Sequence, residues 1–226
     1  MNILGLGGLL NDPACALLQD GRITAAVEQK KIARRLEPGE LPEQAIEAAL
    51  NVAQLSAGDV NTVAIARPFG TRGESRLHLE VREMFPKARV ALVEHHHAHA
   101  ASAFFGSPFE QATVLTVDNS GDFRCGGLWQ GHGGRLHLER EIYYPDSLGD
   151  LYSRVTDLLG FEPRAEEHKV QWLSTIGEPK HADLFLDLLF GGAEWPRANL
   201  NAFDMDHPGS GGFSQAICEK LSGARP

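Results

Sequence analysis

Cysteine is scarce in this sequence, and its spacing does not fit a metal-binding knuckle. The three cysteines, Cys15, Cys125 and Cys218, are widely separated in a chain of 226 residues and include no C-x-x-C pair. An odd number at such spacing is typical of free thiols rather than of a disulfide framework or a zinc site. We therefore expect a fold that is stabilised without disulfides.

Long apolar runs and excess positive charge are also missing. No stretch approaches the roughly 20 apolar residues of a membrane span, and Met1 to Leu4 lack the basic segment that precedes a signal sequence. Lys and Arg number 21 against 30 Asp and Glu, for a net charge of −9. Such a charge gives no general attraction to nucleic acid. These absences predict a soluble cytoplasmic protein that uses neither membrane nor nucleic acid as a partner.

An internal repeat of a three-stranded meander stands out among the features that are present. Strands are predicted at Asn2 to Leu6, Cys15 to Leu18 and Arg22 to Val27. The block Ile3 to Glu28 can be laid over Val114 to Glu141 with one or two insertions. Each block reads as strand, glycine-bearing turn, strand, glycine turn, strand. An aspartate with a cysteine three residues later recurs in both.

The repeat predicts a fold class. Two lobes that each open with a meander and continue with helices and strands are typical of a duplicated ribonuclease-H-like, actin-like ATPase α/β fold with mixed sheets. We place the first lobe in residues 1–110 and the start of the second, incomplete at the C-terminus, in residues 111–226. A Rossmann domain is the rival, because Gly5, Gly7 and Gly8 resemble its fingerprint. The segment Leu9 to Leu18 instead predicts a turn and a strand, where that fingerprint requires a helix.

Four of the ten histidines fall within residues 95–99. They follow a predicted strand, Ala88 to Val93, at the start of a predicted helix. Residues four apart lie only about 40° apart around a helix axis, so His95 and His99 share a face and can converge on one divalent metal. His96 and His97 point elsewhere. The alternative is that these histidines are caps or surface residues, so a metal site needs a further ligand.

A candidate for that ligand follows the next predicted strand, Ala112 to Val117. Asp118 ends this strand, and Asn119-Ser120-Gly121-Asp122 is predicted to be a turn whose amides can hold phosphate. The alternative for Asp118 is a turn residue that accepts a hydrogen bond from its own backbone. In a two-lobed fold we expect this turn to face the cleft.

These motifs resemble the O-carbamoyltransferases related to nodulation protein U and to the cephalosporin and aminoglycoside carbamoyltransferases. The resemblance is carried by His95 to Phe104, Ser107 to Phe109, Val114 to Asp118, Leu151 to Thr156 and Leu159 to Phe161. It implies that His95, His99 and Asp118 bind a divalent metal, usually iron, that holds a nucleotide phosphate. Histidine and carboxylate ligands suit iron, zinc and manganese alike.

The resemblance also implies a reaction. A downstream or separate adenylate-forming domain makes carbamoyl-adenylate from carbamoyl phosphate and ATP, and the actin-like part transfers the carbamoyl group to a hydroxyl of a small acceptor. Ser120, Gly121, Asp122 and Lys169 are then expected at the nucleotide, and Asp12 and Asn11 are the candidate catalytic residues. Asn11 stands where relatives have a histidine.

Other departures from the family concern the second half of the chain. The loop Lys169 to Gly177 differs in content from the relatives. Gly191 to Gly212 predicts a long loop before a helix that starts at Phe213. We expect the chain alone to be inactive. One alternative function is that of a non-catalytic nucleotide- or partner-binding module with the same fold. Another is that of the related tRNA threonylcarbamoyl-adenosine enzymes, but their Ser-Gly-Gly strand end is replaced here by Asp118-Asn119-Ser120.

Overall fold

The computed structural model describes residues 1–10, 12–33, 39–67, 74–204 and 210–222. Two compact units are distinguished, Met1–Ser102 and Ala103–Pro226. The lobe boundary expected after residue 110 stays a prediction. Within the described residues, no helix is both long enough and apolar enough to cross a membrane.

The first unit contains a five-stranded mixed sheet. Its strands are β1 (Asn2–Gly7), β2 (Ala14–Gln19), β3 (Arg22–Glu28), β4 (Thr62–Ala66) and β5 (Arg89–Val93), in the order β3-β2-β1-β4-β5. The first three form an antiparallel meander, as predicted, whereas β4 pairs parallel to both β1 and β5. Parallel neighbours need crossover connections, and helices supply them here.

Three helices belong to this part of the chain: α1 (Glu43–Val52), α2 (Glu74–Met84) and α3 (His95–Phe105). The first buries Ala45, Ile46, Ala49 and Leu50, whose spacing follows the helical repeat. They belong to the same core cluster as strand residues such as Leu4, Leu17 and Val63. The helix predicted at the histidine cluster is confirmed as α3.

The glycine-rich end of β1 leads into a turn and not into a helix. Gly8 has φ +65°, and a Cβ there would lie 2.1 Å from the backbone oxygen of Asp12. Only a glycine allows this approach and this backbone conformation without strain. The chain then continues into β2, so the dinucleotide fingerprint is absent, as the sequence predicted.

The second unit repeats the opening meander. Its strands are β6 (Gln111–Gly121), β7 (Arg124–His132) and β8 (Arg135–Tyr143), paired antiparallel in that order. Cys15 and Cys125 are each the second residue of the middle strand, and Arg22 and Arg135 each begin the third strand. The predicted correspondence between the two blocks is confirmed at the level of strand order.

Four helices follow: α4 (Leu148–Leu158), α5 (Glu167–Ser174), α6 (Ala182–Phe190) and α7 (Gln215–Ser222). Leu151, Leu188 and Ile217 from three of them pack together with Phe213. The helix predicted from Phe213 is confirmed two residues later. The described part of the predicted loop 191–212 has no strand and only short 3-10 turns.

Two local predictions are wrong. Residues 119–121 are not a turn, because β6 continues through Gly121. Val117 pairs with Gly126, and Gly121 pairs with Arg124. Three residues of β6 therefore lie between these two pairs, whereas only one residue of β7 does. The extra residues form a bulge, which leaves Asp122 and Phe123 as the turn.

The second wrong prediction is the loop at Lys169 to Gly177. Most of it is the helix α5, which ends just before Gly177. The segment contains no proline and no glycine before Gly177, so nothing in it prevents a helix.

Candidate metal and nucleotide site

Helix α3 starts directly after β5, and its first turn carries the histidine cluster. Glu94 precedes the helix, and its Oε2 accepts a hydrogen bond of 2.8 Å from the backbone N–H of His97. A carboxylate at this end also interacts favourably with the helix dipole. The cap therefore stabilises the first turn of the helix, which carries the histidines.

His95 and His99 lie side by side on that face. Their Nε2 atoms are 3.0 Å apart, and their ring centroids are 4.5 Å apart with planes at 75°. Imidazole nitrogens bind a metal such as zinc at about 2.0–2.1 Å. If two of them bind the same ion with a nitrogen–metal–nitrogen angle of about 90°, the nitrogens lie about 3 Å apart. The distance therefore fits a shared divalent ion, and it equally fits a hydrogen bond between the two rings. His95 is half-buried and His99 exposed.

The other two histidines of the cluster point elsewhere. His96 is fully buried at 0% exposure, with its ring centroid 5.2 Å from that of His95. His97 is exposed. Its side chain is thus a natural control for any experiment on the pair.

Asp118 lies in the bulge of β6. Its Oδ1 accepts a 2.6 Å hydrogen bond from the N–H of Asn119, which is the backbone role that the sequence left open. The hydroxyl of Ser147, just before α4, donates to the carbonyls of Asp118 at 3.2 Å and Asn119 at 2.7 Å. The same hydroxyl accepts the N–H of Asp150 at 3.0 Å and caps α4.

Gly149 allows this close packing of α4 on the bulge. A Cβ at this position would lie 2.4 Å from the backbone nitrogen of Asn119 and 2.5 Å from the carbonyl carbon of Asp118. No side chain fits there. Ser147 and Gly149 were not predicted as site residues. The pattern Ser147-x-x-Asp150 is a signal that could have identified the cap.

His95 and His99 supply two imidazole ligands on α3, and Asp118 of β6 stays the predicted third ligand. Two imidazoles and a carboxylate are donors that fit iron, zinc or manganese. The donor set and the spacing of the histidine nitrogens are thus compatible with a divalent metal.

The remaining predicted site residues have the following surroundings. Ser120 is exposed on the bulge, and Gly121 and Asp122 are buried beside it, with Asp122 at φ +55°. Lys169 forms an ion pair with Glu166 one turn earlier in sequence. Asp12 accepts a 2.9 Å hydrogen bond from Lys30, which raises the pKa of that lysine. Asn11 lies outside the described residues.

Comparison with known proteins identifies the family. Residues 74–207, more than half of the chain, match the family described as carbamoyltransferase N-terminus. The chain belongs to this family. The predicted resemblance is confirmed, and the match includes α3 and the bulge of β6.

Two curated relatives extend the match towards the N-terminus. An uncharacterised protein of Synechocystis is 34% identical over 225 residues, which cover 83% of this chain and 37% of the relative. Nodulation protein NolNO of Sinorhizobium fredii is 31% identical over 201 residues, covering 78% of this chain and 29% of the relative. The chain thus spans about a third of the length of these relatives.

A solved structure supports the fold. The ROK hexokinase of Thermus thermophilus superposes with a TM-score of 0.51 at 19% identity, covering 82% of this chain and 73% of the hexokinase. At this identity the similarity concerns the fold alone. It confirms the predicted ribonuclease-H-like, actin-like class.

Proposed function

We propose that this chain is the metal- and nucleotide-binding part of an enzyme that transfers a carbamoyl group to a hydroxyl of a small molecule. The observation that carries the proposal is the pair His95 and His99, with Nε2 atoms 3.0 Å apart, in a chain that belongs to the carbamoyltransferase family. Two imidazoles this close, on one helix face, suit a shared cation.

The ligands in this proposal are His95, His99 and a carboxylate oxygen of Asp118. A bound divalent cation would offset the negative charge of a nucleotide phosphate. Three protein ligands leave room for such a phosphate or for water. Iron, zinc and manganese all suit the donors, and the family resemblance favours iron.

The bulge of β6 is the proposed phosphate-binding segment. Ser120 offers an exposed hydroxyl, and the backbone around Gly121 and Asp122 offers amides. Lys169 can contribute its ammonium group if a phosphate replaces Glu166 as its partner. Asp12 is proposed to lie near the attacking hydroxyl, with its carboxylate held by Lys30.

The substrates in this proposal are carbamoyl phosphate, ATP and a hydroxylated acceptor, with carbamoyl-adenylate as the shared intermediate. The resemblance assigns formation of the adenylate to another domain. We therefore expect that the present chain, given ATP, carbamoyl phosphate, ferrous ion and hydroxylated acceptors, releases no pyrophosphate at turnover rates. Carbamoylated product at turnover rates would show that the chain is a complete enzyme.

Metal titration tests the site directly. The metal-free chain is titrated with ferrous ion under nitrogen, and with zinc and manganese, by isothermal calorimetry. We expect His99→Ala and Asp118→Asn to weaken binding at least roughly tenfold, since each removes a ligand or its charge. His97→Ala is the matched control, because His97 is exposed on the same helix. Equal affinities for His99→Ala and His97→Ala would refute the assignment.

A further inference from the structure

The second unit contains a cavity of about 250 Å³ that the proposed metal site does not use. It lies beside helices α4 and α6. Its lining includes Ser147, Asp150, Arg154, Leu188, Ala198 and Phe203. Ligand sites in proteins are usually concave and mainly apolar, with a few polar groups that orient the ligand. This cavity has that composition.

Asp150 and Arg154 provide the charged part of the wall. They are one turn apart on α4, with Arg154 Nε 2.7 Å from Asp150 Oδ2, and each side chain is 19% exposed. Arg154 also donates to the carbonyl of Gly211 at 3.2 Å and lies over the ring of Phe203 at 5.0 Å. The guanidinium charge is therefore balanced by a neighbouring carboxylate. An anionic ligand would meet that carboxylate, so the cavity disfavours phosphates and carboxylates.

The ion pair nevertheless limits which hydrogen bonds a ligand can form with Asp150. A carboxylate that accepts a hydrogen bond from an arginine has further lone pairs that can accept hydrogen bonds from a ligand. A ligand that contacts Asp150 must therefore offer an O–H or N–H donor. A ligand without one leaves this acceptor desolvated, which is unfavourable.

The rest of the wall is apolar. Leu151 and Leu188 are buried, and the ring of Phe203 stacks on that of Phe213 with centroids 5.6 Å apart. Ala198 has a small side chain, which leaves space between α6 and the segment that follows it. A compact ring fits such walls better than a sugar, whose several hydroxyls would lose hydrogen bonds to water.

The cavity also adjoins the bulge. Ser147 lines it and donates hydrogen bonds to the backbone carbonyls of Asp118 and Asn119. The first turn of α4 thus contacts the cavity on one side and a proposed metal ligand on the other.

We propose that this cavity binds an uncharged, mainly apolar ring compound that carries a hydroxyl group, as the acceptor of the carbamoyl group. The acceptor role rests on the proposed function. The binding itself rests on the cavity alone. The hydroxyl donates to Asp150 and the ring packs against Leu188 and Phe203.

Calorimetric titration of the 226-residue chain with 2-naphthol tests the binding. Two matched probes accompany it: 2-methoxynaphthalene, which has no donor, and 2-naphthoate, which is an anion. We expect 2-naphthol to bind and the methoxy compound to bind roughly tenfold or more weakly, since a hydrogen bond to a charged group is lost. We expect no binding of 2-naphthoate. A naphthoate affinity equal to that of 2-naphthol would overturn the proposal.

Two variants locate the site. Ala198→Phe fills the cavity and should abolish naphthol binding, whereas Ala193→Phe places the same side chain at an exposed position of the same segment and should not. In the unsubstituted chain, nuclear Overhauser contacts from the naphthol ring to the methyls of Leu188 and Leu189 provide a measurement that does not depend on folding of a variant. Absence of those contacts, or unchanged affinity in Ala198→Phe, would refute the site.

The metal titration separates this inference from the proposed function. If the metal binds in a way that depends on His99 but naphthol does not bind, only the cavity proposal is refuted. Naphthol binding without metal binding removes the proposed function and keeps the cavity as a ligand site.

Discussion

Replacing Gly149 by alanine probes the contact between α4 and the bulge. The added Cβ would lie 2.4 Å from Asn119 N, 2.5 Å from Asp118 C and 2.6 Å from Asn119 Cα. Carbon atoms in good contact are about 3.5–4.0 Å apart, so the backbone of the bulge and the helix must separate by about 1 Å. All three atoms are backbone, and no side chain can rotate away.

The expected free-energy change combines two terms. Overpacking a well-packed site destabilises by about 1–3 kcal/mol, and replacing a helical glycine by alanine recovers up to about 1 kcal/mol. We expect a net loss of roughly 1–2 kcal/mol in the free energy of unfolding. For a chain of this size that corresponds to a fall in Tm of about 2–8 °C.

Urea unfolding and a metal titration measure the outcome. The matched control is Gly177→Ala, since the nearest heavy atom to a Cβ there is 3.7 Å away, at the carbonyl oxygen of Leu173. Metal affinity should fall in Gly149→Ala and not in Gly177→Ala, because the displaced backbone carries Asp118. If Gly149→Ala is as stable as the control and binds metal equally well, the packing described for α4 is wrong.

Two further predictions concern a buried thiol and a helix cap. Burial raises the pKa of Cys15 from 9.0 to about 11, against a smaller opposing effect of a backbone hydrogen bond. The folded chain therefore keeps its proton longer than the unfolded chain, so this contribution to stability is complete below pH 9 and is lost as pH rises to about 11. Urea unfolding between pH 9 and 11 should show that the free energy of unfolding falls by about 2–3 kcal/mol more in the unsubstituted chain than in Cys15→Ala. Equal pH dependence of the free energy of unfolding in the two proteins would contradict this prediction. Ser147→Ala removes the cap of α4 and should lower the free energy of unfolding by about 1–2 kcal/mol, whereas Ser174→Ala, at the exposed end of α5, should change it by less than about 0.5 kcal/mol. Similar losses in the two serine variants would argue against the cap.

Patterns with a short period were readable from the sequence. The apolar spacing of α1 follows the helical repeat, and the buried residues of β1 alternate, as helix and strand geometry require. The same reasoning predicted that His95 and His99 lie on one side of α3, because that relation depends on helix geometry alone. The repeated meander was visible because both copies keep their turns in equivalent places.

Features that depend on pairing between distant segments were not readable. Asn119-Ser120-Gly121 has the composition of a turn, yet it belongs to β6, because the register with β7 accommodates a bulge there. Gly149 packs its backbone against Asp118 and Asn119, about 30 residues earlier in the chain, and nothing in its local sequence indicates that contact. Local composition cannot predict either result, since each depends on which neighbour the segment meets.

The sequence by itself therefore determined the fold class, the family and the two histidines that share a helix face. Tertiary structure alone decided how the bulge that carries Asp118 is held, since this needs Ser147 and the absent side chain of Gly149 on a helix that starts 30 residues after the aspartate. It also decided that the cavity beside α4 has an acidic acceptor in an apolar wall. The physical reason is that helix and strand periodicity act over a few residues, whereas close backbone contacts and cavities arise only when distant segments pack together.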